Sequence, residues 1–204
     1  AMQQPNEETL HRRLAEHSPR TIWLERERPM AVLLPLIEGP EGWQVLFEVR
    51  AAGISQPGEV CFPGGRVEPG ETPEEAAARE CREELCLDPK QVVLLGAGDR
   101  IATPGGVLVH SFAGALRGYE GGFSKSEVAQ VFTVPLAWLK RQPPLVRDVP
   151  VVTAPGADFP FEKIPGGAAY PWRGGTYRVL FYEYEGRVIW GITAKVLHQM
   201  LPLL

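Results

Sequence analysis

Glu80, Glu83 and Glu84 follow one another at i, i+3 and i+4. On a helix that spacing projects all three carboxylates from one face. Like charges so placed repel by about 0.2–0.5 kcal/mol per pair, and a cation between them is the natural compensation. Mg²⁺ prefers oxygen ligands and is commonly held by a few carboxylates together with substrate phosphates. Arg79 stands just before the cluster, within one turn's reach of a carboxylate, and a glycine-rich stretch, Gly64-Gly65-Arg66-Val67-Glu68-Pro69-Gly70-Glu71, leads into it. These residue types point to metal-dependent chemistry on phosphate. A solvated acidic helix would explain the charges, but not the glycine-rich entry or the full spacing.

The helix that must carry this face has a clear start. Thr72-Pro73-Glu74-Glu75 reads as a capping box, with Thr72 at the N-cap, Pro73 at N1 and Glu75 at N3. Ala77, Cys81 and Leu85 form an apolar stripe at helical spacing, suited to packing on a sheet.

From Gly65 to Leu87 the chain resembles the Nudix box: Gly, five residues, Glu, seven residues, Arg-Glu, an aliphatic, any residue, Glu-Glu, any residue, Gly, an aliphatic. Gly65, Glu71, Arg79, Glu80, Glu83, Glu84 and Leu87 fall on the pattern. Cys81 replaces the first aliphatic, a mild change because a free Cys behaves as a small hydrophobe. Cys86 replaces the final Gly, which usually ends the helix in the left-handed region; if that turn is kept, Cys costs roughly 1 kcal/mol.

The resemblance implies an α/β fold of Nudix type, an α/β/α sandwich with a mixed sheet and a catalytic loop-helix, over roughly residues 28–201. It implies hydrolysis of a nucleoside diphosphate linked to another group, with Mg²⁺ or Mn²⁺ held by Glu80, Glu83 and Glu84 and the Gly64 carbonyl as a further candidate ligand. Arg79 would orient Glu80 through a charge-assisted hydrogen bond, and Glu71 would support the site from the loop. The general base is left open between Glu80 and a carboxylate outside the box. Glu127 sits where Nudix enzymes often supply a further acid, though a surface carboxylate at a strand start reads the same way. For assembly, the resemblance suggests a homodimer.

The residues before the box narrow the substrate. Leu46 to Ala51 followed by Gly58 to Gly65 is similar to the coenzyme A diphosphatase signature: Leu-Leu-Thr, any residue, Arg, Ser or Ala, three residues, Arg, three residues, Gly, three residues, Phe-Pro-Gly-Gly. Arg50, Ala51, Gly58 and Phe62-Pro63-Gly64-Gly65 match. The halves are one residue out of register, so the second Arg falls on Ser55 or Ile54. The resemblance therefore implies cleavage of coenzyme A or its thioesters to 3′,5′-ADP and 4′-phosphopantetheine, with Arg50 as the candidate phosphate contact. The broken spacing keeps ADP-ribose or NADH as competing substrates. A non-catalytic nucleotide-binding module is the third reading, against which stands the complete set of box carboxylates.

The rest of the chain must build the scaffold. At 204 residues with 44% hydrophobic content, it fits one domain with extensions. A net charge of −4 offers no general attraction to nucleic acid. Apolar runs such as 31–37 are too short to span a bilayer. No charged-then-apolar leader opens the chain, and three cysteines without a CxxC pair suit reduced thiols in the cytoplasm. Residues 6–17 read as a short amphipathic helix within a lead-in spanning 1–27, ahead of a Nudix domain at 28–204. Strands are expected at 31–37 and 43–50 as a hairpin, then at 92–97, 107–116 and 128–135, followed by a short helix or turn at 136–140. Residues 141–176, rich in Pro and Gly, read as irregular apart from a short strand at Val151-Val152-Thr153. Residues 177–184 and 187–190 read as a closing hairpin around Glu185-Gly186, and a helix runs from an N-cap at Thr193 to Leu201 with Val196, Leu197 and Met200 inward.

Overall fold

The computed structural model describes residues 28–40 and 42–204. The helix expected at 6–17 lies outside the described residues. Period-2 alternation sets the sheet. In β1 (Arg28–Gly39), Ala31 and Leu33 point to one face while Leu34 and Leu36 point to the other. In β2 (Gly42–Arg50), Leu46 joins the first face and Val45 and Phe47 the second. Burial on both sides explains the near-continuous apolar runs.

β1 and β2 form the expected antiparallel hairpin, but only at its closed end, where Leu36 faces Val45 and Gly39 faces Gly42. Farther along, the two strands part. β3 (Val60–Cys61) pairs with β2 at Glu48 and Val49, and β4 (Gly64–Arg66) pairs with β1 at Met30, Ala31 and Val32. The link between β3 and β4, Phe62-Pro63, thus fills the fork between the two strands. Phe62 is buried and stacks on Phe47 with ring centroids 4.9 Å apart, and Leu33 N–H donates to the Pro63 carbonyl at 3.0 Å.

α1 (Pro73–Glu84) crosses the first face, burying Ala76, Ala77 and Cys81, with Leu85 just beyond its end, against Ala31, Leu33, Leu46 and Phe112. Its capping box forms as the sequence indicates, with Thr72 Oγ1 accepting from Glu75 N–H and the Glu75 carboxylate accepting from Thr72 N–H. The helix ends in a left-handed residue: Cys86 has φ of 51°. Leu87 N–H donates to the Arg82 carbonyl at 2.9 Å, the six-to-one bond of a Schellman turn. The family's glycine position therefore keeps its backbone conformation with a cysteine in it.

β5 (Val92–Ala102) runs five residues past the expected strand end and pairs with β6 (Val107–Leu116), which lies parallel to β1. β7 (Val128–Pro135) covers the outer edge of β2, followed by α2 (Leu136–Leu139). The sheet is mixed, as expected.

Two expectations are corrected. The strand within 141–176 is β8 (Leu145–Val151), seven residues long, and Val152 and Thr153 lie outside it. It pairs with β9 (Gly175–Tyr184), which pairs with β10 (Arg187–Trp190) in a second, three-stranded sheet. As an edge strand it is exposed along nearly all its length, so burial left no periodic pattern to read. Thr193 is not an N-cap: α3 (Gly191–Met200) begins two residues earlier, with Trp190 in the cap position. α3 buries Ala194, Val196, Leu197 and Met200 on the second face, beside Leu180, Tyr182 and Ile189.

Candidate active site

The fork in the sheet delivers the site. Gly64, on β4, donates its N–H to Glu84 Oε2 at 2.9 Å, tying the loop to the last turn of α1. Gly65 lies against the Glu80 carboxylate so closely that a Cβ there would collide with it. A Cβ on Gly64 would collide with the backbone of Ala31 and Val32, so both glycines are explained by close approach. The Gly64 carbonyl, a candidate metal ligand in the sequence, lies on the β4 segment paired with Val32.

Arg79 is the organiser of the acidic face. Its Nε and Nη2 donate to the two oxygens of Glu71 at 2.9 and 3.1 Å, a bidentate pair. Its Nη1 donates to Glu80 Oε1 at 2.8 Å and to Glu83 Oε2 at 3.2 Å, and Nη2 also reaches the Arg66 carbonyl at 3.1 Å. The orienting role expected for Arg79 and the supporting role expected for Glu71 both have their contacts. The bond to Arg79 holds the Glu71 carboxyl below its ordinary range, aided by the Glu68 backbone, and the Arg79 guanidinium is held more firmly protonated by Glu71.

The three box glutamates differ in setting. Glu83 is exposed and turned to Arg79. Glu80 is half-buried, and burial raises its pKa against the opposing pull of Arg79. Glu84 is 6% exposed, and burial raises its pKa above the ordinary value, with the Gly64 N–H opposing and the charges of Glu80 and Glu127 adding to the rise. Glu127 is exposed. Its carbonyl accepts from Ala51 N–H at 2.9 Å, which fixes it beside the open end of β2, and its charge acts on Glu48, Glu80 and Glu84.

Glu48 is a residue that motif reading missed. It stands on β2 where the coenzyme A signature has Thr, and strand parity places it on the α1 face with Leu46. It is 1% exposed, its carboxyl meets that of Glu84, and its Oε1 has no hydrogen-bond partner among the described residues. Burial first, and Glu84 second, raise its pKa well above the ordinary value. The available signal was a carboxylate inside an apolar run, at the parity of a buried residue.

Arg50 ends β2 two residues beyond Glu48. Its Nε donates to the Ser55 carbonyl at 2.8 Å and its Nη2 to Ser55 Oγ at 3.3 Å. It lines a cavity of about 360 Å³ together with Cys61, Thr103, Tyr177 and Trp190. Cys61 pairs with Glu48 in the β2–β3 ladder, so this cavity lies beside the carboxylates. A larger cavity, about 670 Å³, lies between Gly58 and the β9–β10 hairpin and includes no carboxylate of α1. The Cys61 thiol is pushed up to about 12 by burial, then by Glu48 and Glu84, which suits a neutral thiol and not a nucleophile.

Among the described residues, no three His, Cys, Asp or Glu side chains are gathered closely enough to hold a metal ion as placed. Arg79 draws Glu80 and Glu83 to itself, while Glu84 bonds Gly64. The donor set nonetheless fits a hard divalent cation: it consists of carboxylate oxygens alone, and a buried, unpartnered Oε1 stands among them.

A mixed sheet with an acidic loop-helix locked onto a forked strand pair is the framework that positions these carboxylates. The profile of the NUDIX domain matches residues 27–153. The chain therefore belongs to the Nudix hydrolase family. It is 31% identical over 178 residues to an uncharacterized Nudix hydrolase NudL of Photorhabdus laumondii, covering 86% of this chain and 84% of that one. It is 32% identical to Nudix hydrolase 3 of Caenorhabditis elegans, covering 86% and 72%. It is 34% identical over 139 residues to the peroxisomal coenzyme A diphosphatase NUDT7 of Mus musculus, covering 63% of this chain and 55% of the mouse protein. Among solved structures, the Nudix hydrolase RenU of M. Smegmatis is similar over 54% of this chain and 72% of its own, with 25% identity and a TM-score of 0.48.

Proposed function

We propose that the protein hydrolyses the diphosphate bond of coenzyme A or its thioesters, giving 3′,5′-ADP and (acyl-)4′-phosphopantetheine. The observation that carries this reading is the clamp of Gly64-Gly65 onto Glu84 and Glu80, because it joins the substrate-selective Phe62-Pro63-Gly64-Gly65 to the hydrolytic carboxylates. Similarity to a coenzyme A diphosphatase supports it.

Each residue has a part. Arg79, anchored by Glu71, fixes the direction of Glu80. Glu80, Glu84 and Glu83 would hold Mg²⁺ or Mn²⁺, which supplies neutralisation of the charge developing on the diphosphate oxygens. Glu80 or Glu127 takes the proton of the attacking water. Arg50, at the mouth of the adjacent cavity, meets a substrate phosphate.

Ser55 favours a second reading. It stands where the second Arg of the signature falls when counted from the left, and it captures Arg50 instead of adding a cation. A site with one cation fewer suits ADP-ribose or NADH, which lack the 3′-phosphate of coenzyme A. Chromatographic product analysis with coenzyme A, acetyl-coenzyme A, ADP-ribose and NADH, each with Mg²⁺, Mn²⁺ or chelator, separates the two. Metal-dependent 3′,5′-ADP released fastest from coenzyme A is the expected result; faster turnover of ADP-ribose or NADH overturns it.

A further inference from the structure

Glu48 is the buried carboxyl that the hydrolytic assignment leaves unused. Its position follows from the fork. β2 carries it at the parity of Leu46, toward α1, at the level where β1 has already turned away and β3 and β4 have entered. There its carboxyl meets that of Glu84, the most buried of the box glutamates. Two carboxyl groups in contact away from water repel unless a proton or a cation lies between them. Among the described residues, no cationic side chain bonds either carboxyl. The charge of Arg50 acts on Glu48, but its guanidinium is bonded to Ser55, and Glu48 Oε1 has no partner among those residues. A buried polar atom without a partner is costly to keep, and a bound cation would relieve both that cost and the repulsion.

We propose that Glu48 is a carboxylate ligand of the divalent cation, contributed by the sheet from outside the Nudix box. The inference rests on the metal-dependent reading of the Glu80–Glu84 face and extends it. The cation would be bracketed by Glu84 from the helix and Glu48 from the strand, rather than held by one face of α1 alone. This also removes a difficulty with the helix set: Glu83 is exposed and bonded to Arg79, leaving the buried side of the site short of a second carboxylate. Glu48 supplies it. It is a departure from the signature, which has Thr at this position, so it marks a metal site altered in this chain rather than one inherited from the motif.

The test is Mn²⁺ binding, followed by titration calorimetry and by the paramagnetic signal of free Mn²⁺, with no substrate present and at one fixed pH. Wild-type protein, Glu48→Gln and Glu48→Asp are compared, and unfolding of each metal-free variant is recorded. Glu48→Gln keeps the shape and removes the charge; Glu48→Asp keeps the charge and withdraws it by one methylene. Loss of roughly tenfold or more in Mn²⁺ affinity in both variants is expected for a direct ligand. Wild-type affinity in Glu48→Gln overturns the proposal and leaves the box-glutamate assignment standing. Loss in Glu48→Gln alone, with Glu48→Asp unchanged, overturns direct ligation in favour of a general charge effect. Absence of Mn²⁺ binding in the wild type overturns the metal reading of the whole site. If Glu48→Gln does not fold, Glu48→Thr, which installs the signature residue, takes its place with the same outcomes.

Discussion

The backbone N–H of Gly64 lies 2.9 Å from Glu84 Oε2, a bond between residues twenty positions apart. It joins an edge of the forked sheet to the final turn of α1. The glycine loop and the acidic helix are therefore one rigid unit, and Glu84 has its orientation settled before any substrate arrives.

Glu84→Gln should test that unit. An amide oxygen can still accept from Gly64, so the fold should hold, while the charge needed for a divalent cation is gone. Hydrolysis measured at saturating Mg²⁺ should fall by about 100-fold or more, with unchanged circular dichroism. Near wild-type turnover would remove Glu84 from the metal site.

Gly65→Ala should damage activity more than stability. The added methyl meets only the far end of the Glu80 side chain, which can turn aside at small cost to the fold but loses the direction set by Arg79. A fall in kcat with a nearly unchanged melting temperature is expected. Wild-type kcat would show that turnover does not depend on that direction of Glu80.

Arg79→Lys should separate charge from geometry. Lysine keeps the positive charge but cannot grip both oxygens of Glu71 while also holding Glu80. We expect kcat to drop about 10–100-fold with a smaller change in KM. An equal rise in KM at constant kcat would instead mark Arg79 as a substrate contact.

Metal-free protein should lose stability as pH rises. Glu48, Glu80 and Glu84 all have folded pKa values raised above the model-compound value of 4.5. Their contribution is complete below about pH 4.5 and is lost as pH climbs through the folded values. Glu71 works the other way, its lowered pKa adding stability above its unfolded value. The buried groups should dominate between about pH 5 and pH 8, where exposed pairs count for little. Thermal melts with chelator should show Tm falling across that window, and Glu48→Gln should flatten the fall. A Tm that rises with pH in the wild type would contradict the burial of these carboxyls.

Cys86→Gly should stabilise the protein. Cys86 holds a φ of 51°, where glycine avoids a strain of about 1 kcal/mol and returns part of that through the entropy of the unfolded chain. A net gain of a few tenths to about 1 kcal/mol is expected by chemical denaturation, with kcat unaltered. A loss would mean the thiol makes a contact worth more than the strain.

Local features of this protein were open to reading from the chain alone. The helix face of Glu80, Glu83 and Glu84, the capping box at Thr72 and the strand boundaries at 107–116 and 128–135 depend on short-range spacing and hydrophobic period, which the residues carry by themselves. The Nudix pattern then followed from order and spacing. Three things were decided only by tertiary structure. β8 became a strand because β9 offered an edge to pair with, not because its exposed residues alternate. Arg79 gathered Glu71, Glu80 and Glu83 into one network because the loop returns Glu71 across eight residues onto the helix. Glu48 met Glu84 because β1 and β2 part and a strand residue thirty-six positions upstream comes to face the helix. Spacing along the chain fixes which side chains share a helix face. Only the packing of one element on another brings two buried carboxyls into contact.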